Sequence, residues 1–115
     1  MMDECIFCRI VSGKIPSQRV YEDGEVLAIR DINPQAPVHL LVLPKAHVAS
    51  VSDVSKSDTQ LIGAIILAAT HLAKTEGLEE RGFRLVINAG LEGGQTVPHL
   101  HVHLLGGRQM RWPPG

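Results

Sequence analysis

The sequence predicts an α+β domain built on an antiparallel sheet, and three observations carry that reading. Short extended segments recur between turn-forming residues, one long stretch without Asp, Glu, Lys or Arg fits a single helix, and proline or glycine punctuates the junctions. With 115 residues the chain can bury about two-thirds of its unfolded surface as one domain, residues 1–115, without disulfides.

Residues 19–22 and 25–30 flank Asp23-Gly24, a dipeptide typical of tight hairpins, and read as two antiparallel strands. Asn33-Pro34 and Pro37 break the chain before a strand at 39–43, which Pro44 ends. Ser57 or Asp58 supplies a cap for the long helix and Gly77 its stop. A further strand is expected at 83–88, then a Gly-rich turn at 89–94, and a last strand at 99–105 before Gly106-Gly107.

The uncharged part of the helix, residues 59–73, is shorter than the roughly 18 apolar residues of a membrane span. A helix apolar nearly all round needs cover on more than one side. The sheet supplies one cover; the other is a second copy of the chain, making a homodimer, or complete burial within one copy. His71 is then an interface histidine rather than a ligand.

A net charge of −1 with both signs dispersed leaves no basic patch, which argues against a nucleic-acid polymer and for a small ligand. The N-terminal MMDECIFCRI is acidic and has too little apolar length for an export or transit signal, so a cytoplasmic location with reduced thiols is expected.

Three of the six histidines, His99, His101 and His103, alternate with Leu100, Val102 and Leu104. Pro98 before them and two glycines after them favour a strand over a helix. The imidazoles then share one face, expected to be a polar surface about 13 Å long, and the aliphatics face the core. Ligands strung along a flat strand cannot all reach one zinc with bonds of about 2 Å, so the triad is not a single metal cage. A neutral imidazole attacks phosphorus well when its second nitrogen gives its proton to a fixed acceptor. The middle residue, His101, has polar neighbours on both sides and is the candidate nucleophile.

The run His99-Leu100-His101-Val102-His103-Leu104-Leu105 resembles the signature of the histidine triad (HIT) superfamily, and the tail Gly106-Gly107-Arg108-Gln109-Met110-Arg111-Trp112-Pro113-Pro114-Gly115 resembles its HINT branch of purine nucleoside phosphoramidases. Ile6-Phe7, Ile15-Pro16, residues 31–37, His39, residues 44–47 and residues 93–97 extend the resemblance over nearly the whole chain. It implies a five-stranded antiparallel sheet with one long helix and a short N-terminal helix, dimerising into a continuous ten-stranded sheet with a nucleotide site in each protomer. It implies further that His101 forms an adenylyl or guanylyl intermediate, with His39, His99 and His103 around it and Thr96 beside the leaving group.

By the same resemblance, Asp31 accepts from the ribose hydroxyls; its alternative is a turn cap before Asn33-Pro34. Ile6, Phe7, Ile10, Ile32 and Leu41 sandwich the purine, or simply pack the core. Asn88, Gly94, Gln95, Thr96 and Val97 surround the phosphate, and Trp112 reaches the partner's site. The chain departs from the branch pattern with Thr96 for serine, Pro98 for an aromatic and Arg111 for histidine. His103 stands where the uridylyl-transferring relatives carry glutamine, which favours hydrolysis. The alternative functions are dinucleoside polyphosphate hydrolysis, as in the Fhit branch, and a nucleotide-binding scaffold whose hydrolysis is incidental.

Cys5-Ile6-Phe7-Cys8 has the spacing of a zinc chelate needing two more ligands. The family resemblance assigns these to His47 and His99, for a structural zinc. Two unmetallated buried thiols are the alternative. A redox pair is disfavoured because no helix start is expected after the cysteines to lower a thiol pKa.

Overall fold

The computed structural model describes residues 4–115. In chain order it contains α1 (Ile6–Val11), β1 (Arg19–Glu22), β2 (Val26–Arg30), β3 (Val38–Pro44), two single 3-10 turns, α2 (Thr59–Thr75), β4 (Phe83–Val86) and β5 (Val102–Gly106). The strands form one sheet in the order β1-β2-β3-β5-β4, and every neighbouring pair is antiparallel. The expected α+β architecture, with its long helix and short N-terminal helix, is therefore present. Met1–Asp3, the start of the segment read as lacking an export signal, lie outside the described residues. Among the described residues no helix is long and apolar enough to cross a membrane.

Both faces of the sheet are covered. Val26 and Ala28 of β2, Leu40 and Val42 of β3, and Val102 and Leu104 of β5 pack with Ile65, Ala69 and Leu72 of α2. The alternate residues Leu27, Ile29, Leu41 and Leu43 pack on the other face with Cys5, Phe7 and Ile10. This period-two division follows from strand geometry. It explains why β2 and β3 read as nearly continuous apolar runs.

The hairpin turn sits one residue later than expected. Glu22 pairs with Leu27, which leaves Gly24-Glu25 at the turn. The Asp23 carboxylate accepts from the Glu25 and Val26 amides, both at 2.8 Å, so a side chain closes the loop. At the end of α2, Gly77 has φ +76°; its amide bonds the Lys74 carbonyl at 3.0 Å while the Leu78 amide bonds that of Ala73 at 2.8 Å. This Schellman arrangement stops the helix where glycine was expected to stop it. Asp58 is the residue before the helix, but its carboxylate turns back to the Ser55 amide at 2.9 Å.

Gly106 shows how closely β5 approaches the chain beyond α2. A Cβ there would lie 2.5 Å from Leu78 Cδ1 and 2.7 Å from Cδ2. Because Leu78 is buried, Gly106→Ala is expected to cost about 1–3 kcal/mol by overpacking. In a Leu78→Ala background that increment should shrink towards zero in urea melts; an unchanged increment would place the strain elsewhere.

Candidate active site and metal cluster

The chain reaches the histidine triad through an irregular approach, and β5 starts later than expected. His99 follows Pro98 in a bend, its amide bonded to the Val97 carbonyl at 2.8 Å, and the Leu100 amide bonds Val48 at 2.6 Å. The Pro44 carbonyl, at the end of β3, takes its partner from the His99 ring at 2.8 Å. A side chain thus extends the sheet where the backbone ladder stops.

The expected alternation of faces holds, since Leu100, Val102 and Leu104 lie in the α2-side core. The expected polar surface does not. His99 is fully buried and His101 is 7% exposed. The reason is α1: Phe7 lays its edge on both His99 and His101, with ring centres 5.8 and 5.0 Å apart. The triad is divided, with His99 turned to the cysteines and His103 to Asp31 and His39.

His101 Nδ1 lies 2.7 Å from the His99 carbonyl oxygen. A carbonyl only accepts, so Nδ1 carries the proton and donates it, and Nε2 keeps a lone pair. A sequence-adjacent backbone group therefore selects the tautomer that a nucleophile needs.

His39 and His103 form a second unit. The Gln35 amide donates to His39 Nδ1 at 3.0 Å, and His39 Nε2 lies 2.9 Å from His103 Nδ1 and 3.3 Å from Asp31 Oδ2. Burial lowers the pKa of His39 against the pull of Asp31. It also pushes His103 down to about 4, aided by His101 and His39 and opposed by Asp31. The unfolded chain, with histidine near 6.5, then binds protons that the folded chain refuses. Stability is consequently full above pH ~6.5 and is lost as pH falls towards ~4. Urea midpoints should drop between about pH 7 and pH 5, and His103→Gln should flatten that drop. Equal slopes in both proteins would remove His103 from the linkage.

A cavity of about 300 Å³ lies beside these histidines, at the lower end for small-ligand sites. Its lining brings together Ile6, Phe7, Ile10, Asp31, Ile32, Leu41, Thr96, Val97, His101 and His103. Asn88, Gly94, Gln95 and Trp112 are outside this lining. The Gln95 side chain is committed to the fold: its amide nitrogen donates to the carbonyls of Ala49 at 2.7 Å and Val97 at 2.9 Å, and its oxygen accepts from Gly90. Trp112 is 81% exposed. Sequence reading did not place Ile15, Pro16, Ser17, Ile29 or Arg30 in the site, yet they also line the cavity. Ile29 could have been found by following alternation from Leu27 along β2.

The Cys5-x-x-Cys8 unit spans the first turn of α1. Contrary to expectation, a helix does start at the pair: Cys5 is its N-cap, and Cys5 Sγ accepts from the Cys8 amide at 3.4 Å. Neither Cys5 nor Cys8 is in a disulfide. Cys5 Sγ and Cys8 Sγ lie 3.3 and 3.6 Å from His99 Nδ1, and Cys8 Sγ is 3.3 Å from His47 Nδ1. Ligands at zinc bond lengths of about 2.0–2.3 Å in a tetrahedron stand roughly 3.3–3.8 Å apart, so the set fits zinc. Since His99 Nε2 donates to Pro44, its Nδ1 lone pair faces the sulfurs, as a metal-binding histidine anchored by a backbone carbonyl requires. His71, expected at an interface, is exposed on α2, with its ring edge-on to Tyr21 at 6.4 Å.

The fold and site together define a protein that sets a histidine cluster against a small-ligand cavity and ties it to a Cys2His2 group. The HIT domain profile matches residues 12–110. A 14 kDa zinc-binding protein of Zea mays is 51% identical over 112 residues, covering 96% of this chain and 87% of its own length. A HIT family hydrolase structure from Legionella pneumophila Philadelphia 1 matches with a TM-score of 0.96 and 54% identity, over 97% of this chain and 100% of that one. A histidine triad nucleotide-binding protein from Candida albicans matches with a TM-score of 0.81 and 32% identity, over 88% and 73% of the two chains. The chain belongs to the HIT domain family.

Proposed function

We propose that this chain hydrolyses purine nucleoside 5′-phosphoramidates, and aminoacyl adenylates as a second substrate class, to the nucleoside monophosphate. The observation that carries the reading is the 2.7 Å contact of His101 Nδ1 with the His99 carbonyl, which reserves Nε2 for attack. The names of the Legionella and Candida relatives, a hydrolase and a nucleotide-binding protein, support it.

In the first step His101 Nε2 bonds to phosphorus and the P–N bond breaks, its electron pair leaving with the amine, which takes up a proton. In the second, water attacks phosphorus and the histidine leaves, giving the nucleoside monophosphate. His99 orients His101 through its main-chain carbonyl, His39 and His103 move protons, and Thr96 bonds the leaving group. Phe7, Ile6, Ile10, Ile32 and Leu41 enclose the purine, Asp31 accepts from the ribose, and Asn88, Gly94, Gln95 and Val97 border the phosphate. Given the internal bonds of its side chain, Gln95 acts there by shaping the loop.

Cys5, Cys8, His47 and His99 hold a structural zinc, which fastens α1 to the approach of β5 and supplies no chemistry to the reaction. The single domain, residues 1–115, works in the cytoplasm as a homodimer whose sheets join into ten strands, with Trp112 reaching the partner's site. The exposed Leu67 on α2 is in keeping with a second covering surface.

The test is turnover of a fluorogenic tryptamine adenosine phosphoramidate at neutral pH, with AMP binding measured alongside. Efficient turnover supports the reading. Binding without turnover would redirect the assignment to dinucleoside polyphosphates or to a nucleotide-binding scaffold.

A further inference from the structure

Among the described residues two groups of metal-capable side chains converge: Cys5, Cys8, His47 and His99, and the trio Asp31, His39 and His103. In each group the ligand atoms lie within 4.8 Å of one another. Two histidines and one carboxylate commonly hold a divalent cation, so position alone does not separate the groups. Backbone hydrogen bonds do. On His99 the outer nitrogen meets a carbonyl, Pro44 at 2.8 Å, so the proton stays outside and the inner nitrogen offers a lone pair. On His39 the outer nitrogen meets an amide N–H, that of Gln35 at 3.0 Å. That nitrogen must accept, and the ring's one proton moves to the inner nitrogen.

We propose that the Gln35 backbone N–H fixes the tautomers of His39 and His103, so that the Asp31–His39–His103 cluster carries protons and refuses the divalent cation that the cysteine cluster is shaped to take. His39 Nε2–H donates to His103 Nδ1 at 2.9 Å, with Asp31 Oδ2 at 3.3 Å as a weaker second acceptor. His103 Nδ1 is thereby an acceptor and its proton sits on Nε2. A cation at His39 Nε2 would displace that proton to Nδ1, where it would face the Gln35 N–H donor to donor. One unfavourable contact of this kind sets two donors face to face in a part-buried position without an acceptor, a cost that cation binding would have to overcome. The lowered pKa values of both rings keep the single-proton state in force at neutral pH. Gln35 would then be a positioning residue through its main chain, and its side chain would be immaterial to the effect. These contacts set the tautomers whether or not the chain is a phosphoramidase.

The test is long-range proton–nitrogen NMR of the zinc-loaded, nitrogen-15-labelled chain at neutral pH. The expected spectrum has an unprotonated Nδ1 and a protonated Nε2 on His39 and His103, and the reverse on His101. A protonated Nδ1 on His39 would overturn the proposal. In parallel, native mass spectrometry counts cations on the zinc-loaded chain challenged with excess Co²⁺. One cation per wild-type protomer is expected, with a second in Gln35→Pro, which lacks the N–H, and the second lost again in Gln35→Pro/His39→Gln. A second cation on the wild type that His39→Gln removes would defeat the proposal, as would a folded Gln35→Pro that still holds only one. If Gln35→Pro does not fold, the wild-type tautomers and cation count decide, and Gln35→Ala, which keeps the N–H, must behave as wild type. Because neither readout involves turnover, failure here is separable from failure of the proposed reaction.

Discussion

His101→Ala is expected to lower kcat/KM for adenosine tryptamine phosphoramidate by at least about a thousandfold, while AMP affinity should stay within a few-fold of wild type. The size of the effect follows from the role. Without Nε2 no covalent intermediate forms, and water must displace the amine directly with no group to hold it in line. Neighbouring His39 and His103 cannot substitute, because their facing nitrogens are engaged with each other at 2.9 Å. Ligand affinity survives because the walls of the cavity, from Phe7 and Ile10 to Asp31 and Leu41, are untouched. Parallel loss of AMP binding would mean that His101 acts mainly in forming the cavity. The buried contact with Phe7 makes a modest loss of stability an accompanying expectation.

The second large effect concerns the metal cluster. Cys5→Ser/Cys8→Ser is expected to lose zinc and at least about 3 kcal/mol of stability, since binding free energy for a structural zinc becomes folding free energy. The wild-type Tm should fall on chelation and recover with added zinc, and the variant's Tm should respond to neither. The physical link is short: the cluster joins α1 to His99, and the His99 carbonyl holds His101. The variant should therefore also lose turnover at temperatures where it remains folded. A variant with wild-type Tm and an unchanged response to chelator would place zinc elsewhere or nowhere.

Much of this arrangement is legible in the chain. Alternation of His99, His101 and His103 with Leu100, Val102 and Leu104 assigns each residue to the correct face, because strand periodicity is local. Gly77 and the extended segments delimit α2 and the strands for the same reason. The features that escape reading depend on residues far apart. The burial of the triad requires α1, some 90 residues earlier, to fold over it. β5 begins at Val102 rather than His99 because the His99 ring occupies the Pro44 carbonyl, a contact between residues 55 positions apart. The hairpin turn falls one residue later than the sequence predicts because Asp23 closes it, its carboxylate accepting from the Glu25 and Val26 amides and its own amide bonding the Val26 carbonyl.

The site shows the same division. Sequence names the groups that do chemistry, and the fold decides the state in which they are held. Nothing in residues 31–37 announces that the Gln35 amide meets His39, since backbone donors carry no sequence signal. Gln95 illustrates the converse: a polar side chain in a glycine-rich loop reads as a ligand contact, yet its side-chain bonds hold the loop to Ala49, Gly90 and Val97.

The central claim is covalent attachment of the nucleotide to His101 Nε2. The most direct measurement is rapid quenching of wild-type turnover into alkali, where phosphohistidine persists, followed by peptide mass mapping. The account predicts a nucleotidyl adduct on the peptide containing His101, formed and consumed at rates compatible with kcat and absent from His101→Ala. A kinetically competent adduct on another residue, or product formed by wild type with no adduct at any quench time, would contradict it.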